Sequence, residues 1–171
     1  MSKVVKVNDL IKKLKSEKRV VALSHGVFDL IHHGHLRHFE EIKKKSDILI
    51  VSVTSDRFVK KGANRPYFSI KDRLYTLSKL ENIDYVIESD SLSSLNVIKK
   101  IKPDFYCKGP DYKNLKLDRS KKIYIEKQTV EKFGGKLFIT SSKTSSSSKL
   151  INSEYIFSNE QINYLKKIKK K

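Results

Sequence analysis

Two histidines separated by two residues, one of them a glycine, are the side chains most suited to chemistry in this sequence. His32 and His35 flank Gly34 within residues 26–35, after an apolar run that predicts a strand and before a pattern that predicts a helix. The first turn of a helix carries unpaired backbone N–H groups and the positive end of the helix dipole, so an anion is favoured there. Glycine lets a phosphate approach the backbone, and imidazoles donate hydrogen bonds to charge that develops on phosphorus. The pattern therefore predicts a phosphate site.

Histidines beside a turn also serve as helix caps or as metal ligands. Zinc usually takes three or four protein ligands, and the only cysteine, Cys107, is far along the chain, so no metal-ligating residue is predicted. His33 and His38 fall at a variable position of the segment and on the helix beyond it, and both are interpreted as non-catalytic. Cys107 lies in an apolar, strand-like run, which favours a buried structural thiol over a nucleophile.

Helical and strand-like patterns alternate along the chain, and these elements must position the histidines. Helical stripes are formed by Val7, Leu10, Ile11 and Leu14, by Leu36, Phe39 and Ile42, by Ile70, Leu74, Leu77 and Leu80, by Leu95, Ile98 and Ile101, and by residues within 123–133. Short apolar runs predict buried strands at 20–23, 48–53, 85–87, 105–107 and 137–139. A last helix is predicted beyond residue 158.

This alternation predicts a doubly wound, Rossmann-like α/β fold, with a parallel five-stranded sheet and helices on both faces. A chain of 171 residues fits one such domain. Ligands bind such sheets beyond the carboxyl ends of the strands, where the strand order reverses. Loops are predicted at such ends at 24–34, 60–66 and 108–116, while the serine-rich stretch 141–148 is either a disordered linker or the start of a helix. Residues 1–152 form the predicted domain, and 153–171 a basic C-terminal helix that is a candidate linker.

Charge and hydropathy limit the classes of function. The chain carries 37 Lys and Arg against 19 Asp and Glu, a formal net charge of +18. This excess attracts any polyanion, but lysines scattered along solvated helix faces give the same total without a function. No apolar stretch approaches the roughly 20 residues that span a bilayer. Residues 1–7 lack the apolar region of a secretory signal, so a cytoplasmic protein is expected.

The sequence resembles the cytidylyltransferase-like nucleotidylyltransferases, whose mark is G-x-F-D-x-x-H-x-G-H, carried here by residues 26–35. The resemblance runs over most of 20–152 and is strongest to the heptose 1-phosphate adenylyltransferase branch, which is close to the glycerol-3-phosphate cytidylyltransferases. Further matching segments are Thr54-Ser55-Asp56, Lys61-Gly62-x-x-Arg65-Pro66, Arg73, Lys108-Gly109-Pro110-Asp111-Tyr112 and Ser146-Ser147-Ser148-Lys149.

The resemblance implies a role for each matching residue. His32 and His35 would contact a triphosphate and stabilise the transition state, and Lys61, or its neighbour Lys60, would neutralise phosphate charge. Nucleotide-binding residues would be Gly26, Val27, Phe28, Gly34, Lys108, Gly109, Asp111, Tyr112, Ser146, Ser147 and Ser148, with the acceptor pocket as the alternative for Asp111 and Tyr112. Asp29 would bind the acceptor substrate, and Arg73 would either do the same or form an ion pair on the helix surface.

Two positions depart from the family pattern. Val27 stands where the family often has threonine or cysteine, which costs nothing if only its backbone N–H serves the nucleotide. Ser141 stands where the glycerol-phosphate enzymes place an arginine, five residues before the first serine of the last motif. This second departure disfavours the glycerol-type assignment.

By this resemblance the chain transfers a nucleoside monophosphate from ATP or CTP to a sugar or polyol phosphate, for surface polysaccharide synthesis. Pyrophosphate would leave, and Mg²⁺ is the cofactor that this reaction implies. No membrane or nucleic-acid partner is expected, while a homodimer and a fused or partnered sugar kinase are open. One rival is a nucleic-acid-binding module, but neither lysines interleaved with aromatic residues nor a reading helix appears. Another rival, an aminoacyl-tRNA synthetase fragment, is disfavoured by the short length and by the lack of a second signature.

Overall fold

A computed structural model describes residues 3–15, 18–60, 65–91, 93–112 and 122–141. Across these residues five strands alternate with five α-helices. The strands are β1 (Val21–Gly26), β2 (Ile48–Thr54), β3 (Tyr85–Ser89), β4 (Phe105–Lys108) and β5 (Lys136–Ile139). The helices are α1 (Val7–Leu14), α2 (His33–Lys43), α3 (Ile70–Ser78), α4 (Leu95–Ile101) and α5 (Lys122–Lys132). The predicted five-stranded α/β architecture is confirmed, and the helix predicted beyond residue 158 lies outside the described residues.

All five strands belong to one parallel sheet with the order β3-β2-β1-β4-β5. The chain builds outward from β1 through β2 to β3, and then crosses back to place β4 on the other side of β1. The strand order therefore reverses between β1 and β4. The carboxyl ends of these two strands, at Gly26 and Lys108, border the crevice where such sheets bind ligands.

The sheet is covered on both faces because each strand presents apolar residues to both sides. In β2 every residue is buried; Ile48 and Ile50 join one apolar cluster, and Leu49 and Val51 join the other. The first cluster also contains residues of α1, α4 and α5, and the second contains residues of α2 and α3. Helices on both faces, as predicted, follow from this alternation.

Two predicted core positions are wrong. Val20, predicted within the first buried strand, is 38% exposed and lies just before β1. Leu36 is 39% exposed, whereas Phe39 and Ile42 of the same helix are buried. At about 100° per residue, Leu36 lies about 60° around the helix from Phe39 and about 120° from Ile42, so it falls at the edge of the buried face. Cys107 is buried as predicted, and burial raises the pKa of its thiol. Across the described residues, we find no helix with the length and apolar character that a membrane crossing requires.

Candidate active site at the strand-order reversal

The turn after β1 has an unusual backbone conformation that its residue types explain. Phe28 adopts a left-handed conformation with a φ of 51°. Its buried ring contacts His35 edge-on at 5.5 Å and Phe39 at 5.7 Å between centroids, so the apolar contacts offset the backbone strain. A Cβ on Gly26 would lie 3.1 Å from the Phe28 ring, which explains the glycine at that position. The turn therefore places the ring of Phe28 in contact with the rings of His35 and Phe39.

His32 and His35 lie side by side at the start of α2. His32 is the N-cap residue, and its Nδ1 accepts the Gly34 N–H at 3.1 Å. The backbone N–H of His32 in turn donates to His35 Nδ1 at 3.4 Å, and the two ring centroids are 3.9 Å apart. In a neutral imidazole whose Nδ1 accepts, the proton is on Nε2. Both rings are therefore assigned as Nε2–H donors.

Electrostatics favour the same state for His32. Partial burial lowers the pKa of His32 below its ordinary value, and the neighbouring His33 lowers that pKa further. The imidazole is accordingly neutral at neutral pH. A neutral ring with a proton on Nε2 donates a hydrogen bond to an anion but does not accept a proton there.

The backbone of this turn differs from the expectation. The sequence predicts that unpaired N–H groups beside Gly34 bind the anion. In the structure the Gly34 N–H donates to His32 Nδ1, and the His35 N–H donates to the His32 carbonyl at 2.8 Å. The reason is that His32 itself caps the helix. The cap interpretation and the phosphate interpretation of His32 are compatible, because capping uses Nδ1 and leaves Nε2–H as the donor.

Asp29 holds a second part of the chain against this turn. Its buried carboxylate accepts the backbone N–H groups of Tyr67 and Phe68, both at 3.0 Å. Oδ2 also lies 2.8 Å from Arg65 Nε. The structure therefore shows Asp29 fixing the connection between β2 and α3.

Arg73 is not on the helix surface, so that alternative is wrong. It does form an ion pair, with Asp56 at 2.6 Å, but the guanidinium is buried. It also donates to the carbonyls of Phe68 at 3.1 Å, Thr54 at 2.9 Å and Val27. A buried guanidinium needs such acceptors, and these come from three separate segments. Arg73 therefore joins the turn after β1 to the end of β2, and this arrangement gives no support to direct acceptor binding.

Lys108 brings a buried positive charge to the other side of the crevice. Its ammonium lies 3.6 Å from Glu126 Oε2, and it lies over the rings of Tyr106 at 5.2 Å and Tyr112 at 5.0 Å. Burial lowers the pKa of Lys108, and the carboxylate of Glu126 acts in the opposite direction. Sequence reasoning missed Glu126, because one glutamate in a lysine-rich helix carries no signal of burial.

His38 links α2 to the sheet. Its ring nitrogens lie 3.1 Å from Ser24 Oγ and 2.8 Å from Thr140 Oγ1, and burial lowers its pKa to about 4. Glu41, one turn further along α2, accepts the Ser141 N–H at 2.9 Å. These contacts give His38 a structural role and fix the beginning of the serine-rich stretch to the helix that begins at the histidine pair.

Most of the other predicted site residues are either exposed at the surface or outside the described residues. After β4, the turn Pro110–Tyr112 places Asp111 and Tyr112 at the surface, and the Gly109 carbonyl accepts the Tyr112 N–H at 3.1 Å. Lys60 is exposed. Lys61, Ser146, Ser147 and Ser148 lie outside the described residues, so their roles stay predictions.

The described residues do not form a magnesium site of their own. They include no group of three His, Cys, Asp or Glu side chains placed to hold a metal ion. Asp29, three residues before His32, already accepts two backbone N–H groups. Protein-bound Mg²⁺ often keeps most of its ligands from water and substrate phosphates. A magnesium ion beside these residues would therefore depend mainly on ligands from the substrate and from water.

A doubly wound sheet with two imidazole donors and a buried lysine at its order reversal defines a nucleotide-binding α/β domain. The cytidylyltransferase-like family model matches residues 23–153. The chain therefore belongs to the cytidylyltransferase-like family, and the predicted resemblance is confirmed.

Relatives and solved structures support this assignment. The bifunctional protein HldE of Campylobacter fetus is 39% identical over 117 residues, which are 67% of this chain and 25% of that protein. HldE of Helicobacter pylori is 37% identical over 114 residues, 66% of this chain and 25% of that protein. The chain thus matches about a quarter of these relatives' length. The comparisons identify the domain as a nucleotidyltransferase.

Two solved structures share the fold. The lipopolysaccharide core biosynthesis protein of Thermoplasma volcanium has a TM-score of 0.60 and 26% identity, covering 74% of this chain and 99% of that one. Pantoate-beta-alanine ligase of Francisella tularensis has a TM-score of 0.61 with 16% identity, covering 98% of this chain and 78% of that one. The second likeness concerns the fold alone.

Proposed function

We propose that this domain transfers a nucleoside monophosphate from ATP or CTP, of which ATP is favoured, to the phosphate of a sugar 1-phosphate or polyol phosphate. The observation that carries the proposal is the pair of Nε2–H imidazoles of His32 and His35 at the start of α2. The resemblance to the heptose 1-phosphate adenylyltransferase branch favours a sugar phosphate of the heptose 1-phosphate type. The name of the Thermoplasma volcanium protein supports a role in surface polysaccharide synthesis.

The reaction is a direct displacement. A phosphate oxygen of the acceptor attacks the α-phosphorus, a new P–O bond forms, the bond to the bridging oxygen between α- and β-phosphorus breaks, and pyrophosphate leaves. Such transfers depend on positioning and charge stabilisation more than on acid-base chemistry. The two imidazoles are suited to this, because both donate through Nε2 to the negative charge that builds on the phosphate oxygens.

The surrounding residues add positive charge and shape. Lys108 contributes a buried ammonium at the end of β4, and Tyr112 beside it offers a ring to the nucleotide. Lys61, or Lys60, and Ser146, Ser147 and Ser148 remain proposed phosphate ligands. The bonds of His38 and Glu41 to Thr140 and Ser141 support this, because they fix the chain just before those serines.

Further proposals concern the cellular setting. Mg²⁺ would arrive bound to the triphosphate, neutralising its charge as a part of the substrate. A cytoplasmic location suits a nucleoside triphosphate substrate.

A fused or separate sugar kinase is supported by the word bifunctional in the relatives' name and by the quarter of their length that the chain matches. A homodimer is proposed from the family resemblance alone, and no structural observation favours the nucleic-acid alternative.

Pyrophosphate release tests the proposal. The wild-type chain is incubated with ATP or CTP and with heptose 1-phosphate, glucose 1-phosphate or glycerol 3-phosphate, and pyrophosphate is followed by a coupled assay. We expect the fastest release with ATP and heptose 1-phosphate, and none without an acceptor. A folded chain that releases no pyrophosphate with any pair would refute the proposal.

A further inference from the structure

Arg65 is a largely buried cation with two buried nitrogen atoms, Nε and Nη2, that make no hydrogen bond within the described residues. Its side chain is 11% exposed, and its Nε lies 2.8 Å from Asp29 Oδ2. That distance is one of an ion pair, but the N–H direction is not aligned for a hydrogen bond. Nη2 is also buried, without a hydrogen-bond partner in the described part of the chain. Buried donors in folded proteins are nearly always paired, so these N–H groups indicate an acceptor supplied by a ligand.

The backbone around Arg65 is firmly positioned. Asp29 accepts the N–H groups of Tyr67 and Phe68, and Arg73 donates to the carbonyl of Phe68. Arg73 also donates to the carbonyl of Val27 in the turn that leads to the histidine pair. A side chain that enters a site from such a fixed segment loses less freedom when it binds a ligand.

The chemistry of the guanidinium selects an oxyanion. Its planar set of N–H groups matches two oxygens of a phosphate, and the net charge makes each hydrogen bond stronger. The carboxylate of Asp29 uses both oxygens on backbone N–H groups, so it neutralises Arg65 only in part. A phosphate dianion would complete the pairing.

Position separates this group from Lys108, one of the ligands expected for the triphosphate. Lys108 lies at the end of β4, on one side of β1 in the sheet. Arg65 precedes α3 and is linked through Asp29 and Arg73 to the ends of β1 and β2, on the other side. In an in-line displacement the attacking and leaving oxygens lie on opposite sides of the α-phosphorus. Lys108 and Arg65 lie on opposite sides of β1, so Lys108 fits the pyrophosphate group and Arg65 fits the acceptor.

We propose that Arg65 binds the phosphate group of the acceptor and that Asp29 acts on the acceptor only by positioning Arg65. This inference rests on the proposed function and names the residue that recognises its second substrate. It changes the role expected of Asp29 from direct contact to support.

Binding of the acceptor measures this role without turnover. Heptose 1-phosphate, glucose 1-phosphate and glycerol 3-phosphate are titrated into the wild-type chain by calorimetry, each beside its unphosphorylated counterpart. Arg65→Gln is expected to weaken binding of the phosphorylated probe by about tenfold or more, because it removes a charge-assisted pair of hydrogen bonds. Arg65→Lys keeps the charge but not the planar geometry, so its affinity for the phosphorylated probe is expected to lie between those of the wild type and Arg65→Gln. Arg57→Gln is the matched control, since Arg57 forms an exposed ion pair with Asp90 at 3.0 Å.

Steady-state kinetics complete the test. The KM for the acceptor is expected to rise in Arg65→Gln by about tenfold, while the KM for ATP stays within about twofold. If Arg65→Gln fails to fold by circular dichroism, Arg65→Lys supplies the comparison. Equal affinity of wild type and the folded Arg65 variants for the phosphorylated probes would overturn the inference, as would a wild-type chain that does not prefer them over the unphosphorylated compounds. Absence of pyrophosphate release would instead contradict the proposed function. Calorimetry would still test whether Arg65 binds the phosphate group of the acceptor.

Discussion

The rings of His32 and His35 lie 3.9 Å apart between centroids, and the Nδ1 atom of each accepts a backbone N–H from the turn that the two residues share. This arrangement gives one residue two tasks. His32 caps α2 through Nδ1, and its Nε2–H is assigned to the phosphate. The orientation of the two proposed phosphate donors is thus determined by the same hydrogen bonds that begin the helix.

Replacing His35 by alanine removes one of the two proposed donors to the phosphate. We expect turnover to fall at least about a hundredfold, because one such donor is worth about 2.7–4 kcal/mol of the barrier. The measurement is kcat for pyrophosphate release, with circular dichroism to confirm folding. His33→Ala, at an exposed position of the same turn, is the control and should retain wild-type turnover. Equal rates in both variants would contradict the role of His35.

Substitutions of His32 separate its cap from its chemistry. Asparagine is a good N-cap residue, whereas alanine is not and costs about 1 kcal/mol of stability. His32→Asn should therefore keep near wild-type stability but lose most turnover, while His32→Ala should lose both. Urea unfolding and pyrophosphate release give the two readings. Substantial activity in His32→Asn would mean that the imidazole serves only as a cap.

His38 predicts a specific loss of stability in acid. Burial lowers its pKa from the ordinary value of 6.5 to about 4, so the unfolded chain binds the proton more readily. The stability that neutral His38 contributes is complete above pH 6.5 and is lost as the pH falls through about 4, below which both the folded and the unfolded states are protonated. Each pKa unit corresponds to about 1.36 kcal/mol, so the loss is about 3 kcal/mol.

The free energy of unfolding, measured by urea at pH 7 and at pH 4.5, tests this. His38→Gln should show a smaller decline between the two pH values than the wild type does. His33→Gln, at the exposed position, should decline as the wild type does. A wild-type decline that persists unchanged in His38→Gln would show that other groups cause it.

Glu126 is predicted to stabilise the fold by pairing with Lys108. Both side chains are buried and lie 3.6 Å apart, so Glu126→Gln leaves an ammonium without its counter-charge. Breaking such a pair costs about 3–5 kcal/mol. Glu131→Gln on the same helix disturbs an exposed pair with Lys127 and should cost at most about 1 kcal/mol. Similar urea midpoints for the two variants would contradict the role of the buried pair.

Much of the fold can be predicted from the sequence because buried strands and helices show a local pattern of apolar residues. The strands predicted at 48–53 and 105–107 and the helical stripe of Leu95, Ile98 and Ile101 lie nearly at their observed bounds. Each of these signals lies within a few neighbouring residues. Leu36 is misplaced because a short stripe does not determine the centre of the buried face.

The supporting contacts of the site follow from the sequence much less well. Arg73 reaches Val27, 46 residues earlier, and His38 reaches Thr140, 102 residues later. No local pattern reports such partners, because they depend on how the strands are ordered in the sheet. Arg65 belongs to a recognised motif, yet its burial beside Asp29 is visible only in three dimensions.

Nitrogen NMR of the histidine rings addresses the histidine pair itself. In ¹⁵N-labelled protein, assigned with single His→Gln variants, we expect Nδ1 of His32 and His35 to be unprotonated and Nε2 to carry the proton. Saturating ATP or CTP should shift the Nε2 resonances of both residues and leave those of exposed His33 nearly unchanged. If neither His32 nor His35 shifts with either triphosphate, the assignment of this pair as the phosphate-binding donors is wrong.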